Sequence, residues 1–442
     1  MAEEIQKDIK KGRDAGIDLI RVVACLVVIG THVDVMGTGD STKLFLRLLF
    51  ADGVTLFFIL SGFFFFRKGF IITLKRALSS IVLPGILVML MSYQFSPFIR
   101  GEKNLIYCFS HLNFDIYGFM TDLFSWGGNI RESMAAHLWY IFTYLQLVLA
   151  YPLLKPLYTK SVYSTDAGVD KSFSEKLKKD SSGEKQDIQA VLQGGQRGEV
   201  PKTSKRYNTV YNRVYREDCF RKYRWFIIGF IFFNQILMDL NMTGLISFSP
   251  VQISPFMLYT APAMLLMIGA EIKKLRDCFV KPEMAEIKNR IRLISLIVLI
   301  VTFALRFFLQ QQVFILNSSQ DFYLYWNCAF ATVQSTAFVV FILSFNYENN
   351  KPVNFIAGAG KYTFWIYLLH YGIYYTIFFR KGPDWSFGII DLTNGYDTLG
   401  KEVLHLLIRI PTVFLLSLLA SYSIEKIKSF AGKIMKVRYN KT

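Results

Sequence analysis

Residues 17–36, IDLIRVVACLVVIGTHVDVM, hold an arginine and a histidine inside a run otherwise apolar enough to lie in lipid. The step from Arg21 to His32 returns to within about 20° of the same helix face and climbs about 16 Å along the axis. The two therefore share one stripe, with Cys25 and Val28 between them. Arg21 is a permanent cation suited to an anion or a polarised carbonyl. A neutral His32 imidazole can take a hydroxyl proton and return it to a leaving group, which makes it a general base. An ionisable side chain at membrane depth is a functional hypothesis by default. Asp18, three residues before Arg21, is placed to pair with it. Asp34 follows close after His32. Cys25 reads either as an acyl-carrying thiol or as a small buried hydrophobe.

Other polar groups punctuate other apolar runs. TLFFILSGFFFFRKGF sets Ser61 and Gly62 among aromatics and ends on Arg67 and Lys68, with Lys75 and Arg76 soon after. Ser61 and Gly62 can form a packing notch, with the four cations acting as topology determinants. Alternatively the notch admits a slender ligand whose phosphates the cations grip. HLWYIFTYLQLVLAYPLL opens on His137 and Trp139 beside an aromatic belt. KYTFWIYLLHYGIYY places Tyr367 and His370 three residues apart on one face, where an imidazole needs a hydrogen-bond partner or a watery cavity. Arg306, His405 and Arg409 add polar groups to outer helix halves, where snorkelling accounts for the two arginines. Together these groups suggest a cavity open to the outside.

The elements that carry these residues follow from composition. The chain has 442 residues, 52% of them hydrophobic and 16% aromatic, with a formal charge of +17. That combination fits an all-α polytopic membrane protein and excludes an ordinary soluble domain. Windows of about 20 apolar residues give ten spans: 17–36, 48–66, 77–95, 138–158, 225–240, 253–270, 291–310, 323–345, 362–379 and 403–424. With the amino terminus inside, most of the 50 lysines and arginines fall in segments that alternation makes cytoplasmic, chiefly 67–76, 155–224, 273–292 and 426–441. Both termini are then cytoplasmic, residues 1–16 and 425–442. No cleavable signal precedes the first span, which stays as an anchor. Topology and anionic headgroups account for the basic balance without nucleic acid. Residues 159–224 read as a flexible basic insertion between spans 17–158 and 225–424. Residues 96–137 mix aromatic and polar residues as a re-entrant or interfacial amphipathic segment does. Cys25, Cys108, Cys219, Cys278 and Cys328 have neither CxxC nor metal-ligand spacing, and their placement argues against a structural disulfide.

The order and spacing of Arg21 and His32, LFFILSGFF, the Lys75, Arg76 and Pro84 pattern, HLWYIFTYL and YTFWIYLLH resemble the integral-membrane family-3 acyltransferases over nearly the whole chain. The resemblance implies transfer of an acyl group, commonly acetyl, from cytoplasmic acyl-CoA to a hydroxyl or amino group. The acceptor it implies is a sugar, polysaccharide or other envelope component. It implies a multi-pass protein of the cell membrane, of the bacterial envelope type, with no permanently bound cofactor or metal and acyl-CoA as co-substrate. By similarity His32 is the essential histidine and Arg21 its partner, with Ser61 and Arg76 in the donor site. Arg67, Lys68 and Lys75 join that donor set as cations at the same cytoplasmic exit. Lys75 stands where an arginine is more frequent, and the 160–223 insertion departs from the compact family pattern. His137, Trp139, Tyr367 and His370 are the acceptor or cavity candidates. The competing class is a ten-helix transporter or flippase in which Arg21, His32 and His370 line a substrate or proton path. A third is a sensor on the same scaffold, with the insertion as its centre.

Overall fold

The computed structural model describes residues 14–33, 40–99, 102–112, 115–124, 136–158, 223–240, 260–279, 281, 284–317, 328–347, 350–379 and 399–439. Among these residues every regular element is helical. They fall into two compact units, one within Met1–Ala150 and Ile228–Thr442, the other within Tyr151–Ile227. Asp34, Cys219 and nearly all of the 160–223 insertion lie outside the described residues.

In the larger unit the chain runs α1 (Ala15–His32), α2 (Asp40–Leu49), α3 (Gly53–Phe65), α4 (Phe70–Ala77) and, after a π turn at Leu78–Val82, α5 (Leu83–Ile99). Short helices α6 (Leu105–Ser110) and α7 (Ile116–Phe124) precede α8 (Trp139–Leu149). Then come α9 (residues 228–240), α10 (Thr260–Phe279), α11 (Ala285–Asn317), α12 (Ala329–Leu343), α13 (Lys351–Ala357), α14 (Thr363–Tyr374) and α15 (Leu399–Tyr439). In the smaller unit Tyr151–Leu154 is helical, and Arg224 donates to the Leu157 carbonyl at 2.9 Å.

Local chemistry explains several of these boundaries. Asp14 caps α1 by accepting from the Gly16 and Ile17 amides at 2.9 and 3.2 Å, and Asp18 adds a negative charge to the first turn, where the helix dipole favours it. Asn104 and Asn350 cap α6 and α13 in the same way. The π turn at Leu78–Val82 delivers the chain to Pro84, whose ring and missing N–H disturb regular helix pairing.

Among the described residues five stretches are long and apolar enough to cross a membrane: Ala15–His32, Ser41–Phe65, Phe70–Ile99, Ala285–Gln312 and Glu402–Phe430. Trp139–Leu149 and Ala329–Leu343 are shorter apolar helices. Burial on α11 inverts the pattern of a water-soluble helix. Leu293, Ile297, Ile300 and Phe308 are exposed, whereas Arg306 and Gln310 are wholly buried. An apolar exterior around a polar interior is what lipid as solvent selects. On α6 and α7, Ile106, Phe109, Ile116 and Tyr117 are likewise exposed.

Small residues set the tightest crossings. A Cβ on Gly62 of α3 would lie 2.1 Å from the Leu266 carbonyl oxygen of α10, and one on Gly269 would lie 1.9 Å from that of Ile59. The notch beside Ser61 is therefore filled by a helix backbone, so at Gly62 the packing reading holds and a ligand has no room there. Gly53 gives α1 and α3 a similar approach, its Cβ position falling 2.6 Å from Val28.

Candidate active site

α1 carries Arg21 near its start and His32 in its last turn. Arg21 donates to Asp18 at 2.7 Å, the pairing expected from their spacing. Asp18 is buried and fixed from outside its own helix, because Gly360 approaches so closely that a Cβ there would fall 3.0 Å from the Asp18 Cα. The Arg21 guanidinium lies 5.3 Å from the centroid of Phe64, and Arg67 lies 4.8 Å from the same ring. One aromatic ring thus links Arg21 to Arg67, the first cation after α3. Arg67, Lys68, Lys75 and Arg76 are all exposed, the last two in the final turn of α4.

Ser61 turns away from the Gly62 crossing and meets the hydroxyl of Tyr140 on α8 at 3.0 Å. Tyr140 lies in ring contact with Phe57, at 6.0 Å, and with Tyr367 of α14, at 5.7 Å. Tyr367 in turn meets His137 at 5.6 Å and donates its hydroxyl to the His137 carbonyl. A continuous set of aromatic contacts therefore runs from the Ser61–Tyr140 pair to the end of α1.

Three histidines meet there. Ring centroids lie 5.3 Å apart for His32 and His370, 4.9 Å for His137 and His370, and 6.4 Å for His32 and His137. Tyr371 packs edge-on to His32 at 4.9 Å and stacks on His137 at 5.1 Å. His370 bonds the Tyr367 carbonyl through Nδ1 at 2.7 Å, and His137 bonds the Leu368 carbonyl through Nε2 at 3.1 Å. Both rings are buried and His32 is half-buried. Thr31 ties the end of α1 down by donating to the Phe50 carbonyl. Among the described residues no three His, Cys, Asp or Glu side chains are placed to hold one metal ion.

His32, His137, Tyr367 and His370, singled out separately in the sequence, thus share one cluster. Trp139 opens α8, half-buried, with its carbonyl accepting from Thr143 at 3.1 Å. Cys25 is buried with its thiol toward the Thr363 carbonyl at 3.4 Å, the packing reading. The four described cysteines other than Cys219 are free.

Arg306 corrects an expectation. It does not snorkel: it is wholly buried and donates to Asp52, at the start of α3, at 2.6 Å. Asp52 and Tyr140 are the residues the sequence reading missed. Asp52 lies inside the 48–66 span and was not singled out there. Its signal was the complementary arginine buried in another apolar helix. Arg409 is buried as well, 5.5 Å from the Phe378 ring centroid. Asp239 accepts from the Ala329 amide at 2.9 Å, capping α12 beside the Cys328 sulfur.

No curated protein and no solved structure matches the chain. A family model does, that of the acyltransferase domain, over residues 14–181 and 203–426. Its match takes in α1, the Ser61–Tyr140 pair and all three clustered histidines. This helical membrane protein belongs to acyltransferase family 3 and is an acyltransferase.

Proposed function

We propose that the protein moves an acyl group, acetyl first among them, from cytoplasmic acyl-CoA to a hydroxyl of an envelope glycan, lipid-linked sugar or small molecule, with His32 as general base. Arg67, Lys68, Lys75 and Arg76 receive the donor phosphates, and the thin pantetheine arm follows the Phe64, Ser61 and Tyr140 side of α3 towards His32. There the bare nitrogen of His32 takes the hydroxyl proton as the oxygen attacks the thioester carbonyl. The carbon–sulfur bond breaks, sulfur keeps the electron pair, and His32 returns the proton to it, leaving an ester and the free thiol of CoA. Both termini and the basic insertion face the cytoplasm in this reading, and the membrane is the cell membrane.

The observation that carries the proposal is the convergence of three imidazoles on the end of α1, joined through ring contacts to Tyr140, whose hydroxyl meets that of Ser61. The test is transfer or hydrolysis of radiolabelled acetyl-CoA by protein in proteoliposomes, donor on the cytoplasmic side. Wild type should release label and His32→Ala should not, at equal insertion. Equal release from both removes His32 from the mechanism, whereas donor binding without any turnover favours a transport role.

A further inference from the structure

When all three clustered histidines are neutral they hold three N–H groups and three bare nitrogens. Two N–H groups are occupied, Nε2 of His137 on the Leu368 carbonyl and Nδ1 of His370 on the Tyr367 carbonyl. A carbonyl only accepts, so these bonds fix both tautomers. What remains is a lone pair on His137 Nδ1 and another on His370 Nε2, both buried and without a partner among the described residues. A buried acceptor without a donor is costly, and the one N–H left in the cluster belongs to His32.

Of the two candidates His370 is the nearer to His32, at 5.3 Å between centroids and 39° between planes, against 6.4 Å and 76° for His137. Two imidazoles joined by a direct N–H···N bond have centroids about 5 Å apart, given a donor–acceptor distance of about 3 Å. We propose that His370 is a positioning residue for His32. Its Nε2 lone pair, unpartnered in this structure, would accept the His32 N–H once the half-buried His32 ring turns towards it, which decides which His32 nitrogen is bare and steadies the imidazolium formed in the reaction. This rests on the acyl-transfer reading above, in which His32 is the base. It is the role of the third group behind a base, filled by a neutral ring whose own orientation the Tyr367 carbonyl sets. His370 itself neither gains nor loses a proton. The titratable groups facing it are His32 from α1, His137 from the turn before α8, and Tyr367 and Tyr371 on its own helix. From α15, Arg409 lies over Phe378, further along the same segment.

The test uses the full chain in detergent micelles and diethyl pyrocarbonate, which acylates bare imidazole nitrogens, with His32 modification followed by peptide mass spectrometry across a pH series. In His370→Leu the His32 rate should fall roughly tenfold, the worth of one such bond, with its pH midpoint moved down because the imidazolium has lost an acceptor. In His370→Gln, whose amide oxygen can accept, most of the rate should return. Wild-type rate and midpoint in His370→Leu overturn the proposal, as do equal losses in Leu and Gln, which mark a packing role. The same signature in His137→Leu alone overturns it by giving the position to His137, and a wild-type His32 that the reagent leaves untouched overturns it outright. No acyl-CoA is present, so failure of the acyltransferase reading registers only in the proteoliposome assay.

Discussion

Arg306 donates to Asp52 across 2.6 Å with its side chain wholly out of solvent, joining the middle of the α11 helix to the start of α3. Breaking a buried pair by removing one partner strands the other charge at a cost of about 3–5 kcal/mol. Asp52→Ala and Arg306→Ala are each expected to lower the thermal midpoint of the detergent-solubilised protein markedly. The paired change Asp52→Leu with Arg306→Met should recover much of the loss, since it leaves no lone charge. A double variant no more stable than the singles would show that the pair does more than neutralise itself.

How much of this was legible beforehand depended on whether a signal was local. Arg21 and Asp18 could be paired from a three-residue spacing, and His32 stood out as the imidazole in an apolar run. His137 and His370 were each visible as odd residues in their segments, yet their meeting was not, because it is made by the packing of distant helices. Arg306 was misread for the same reason: a sequence shows that a span contains an arginine, not which neighbour its face meets. Gly62 was ambiguous until Gly269 appeared opposite it, since a small residue serves a ligand and a helix backbone equally well.

That crossing yields its own prediction. Helices α3 and α10 approach so closely that a methyl group on Gly269 would stand 1.9 Å from the Ile59 carbonyl oxygen, well inside contact distance. The atom it would meet is backbone and cannot rotate aside, so the helices must separate. Gly269→Ala is expected to cost at least the about 1–3 kcal/mol typical of overpacking, and Gly269→Leu to prevent recovery of a monodisperse peak in size-exclusion chromatography. Gly372, around which a Cβ meets open space, serves as the control, and Gly372→Ala should behave as wild type. Equal behaviour of Gly269→Ala and Gly372→Ala would deny the close approach.

Ser61 and Tyr140 share a hydroxyl–hydroxyl bond at 3.0 Å between α3 and α8, on the proposed donor route. Ser61→Ala and Tyr140→Phe each remove one side of it, so their effects should not add. A double-mutant cycle on thermal stability should return a coupling of about 0.5–1.5 kcal/mol, the net worth of an ordinary hydrogen bond. In transfer assays the two singles should also resemble one another and the double. Strictly additive losses would separate the two hydroxyls and leave each with an independent role.

Phe64 receives Arg21 at 5.3 Å and Arg67 at 4.8 Å, so a single ring helps to hold two guanidiniums. If the exposed cations bind donor phosphates, their contribution is electrostatic and must fall with salt, because the screening length shortens from about 10 Å at 0.1 M to about 3 Å at 1 M. Arg67→Ala, Lys75→Ala and Arg76→Ala are each expected to raise the KM for acetyl-CoA several-fold with kcat little changed, since these groups meet the non-reacting end of the donor. Phe64→Leu should exceed any of them by loosening Arg21 and Arg67 together, whereas Phe64→Trp, which keeps an aromatic face, should stay near wild type. Calorimetric titration with acetyl-CoA at two ionic strengths checks the series. Unchanged affinity when Arg67, Lys68, Lys75 and Arg76 are all replaced by Gln would reduce the four to topology determinants and send the donor site elsewhere in the bundle.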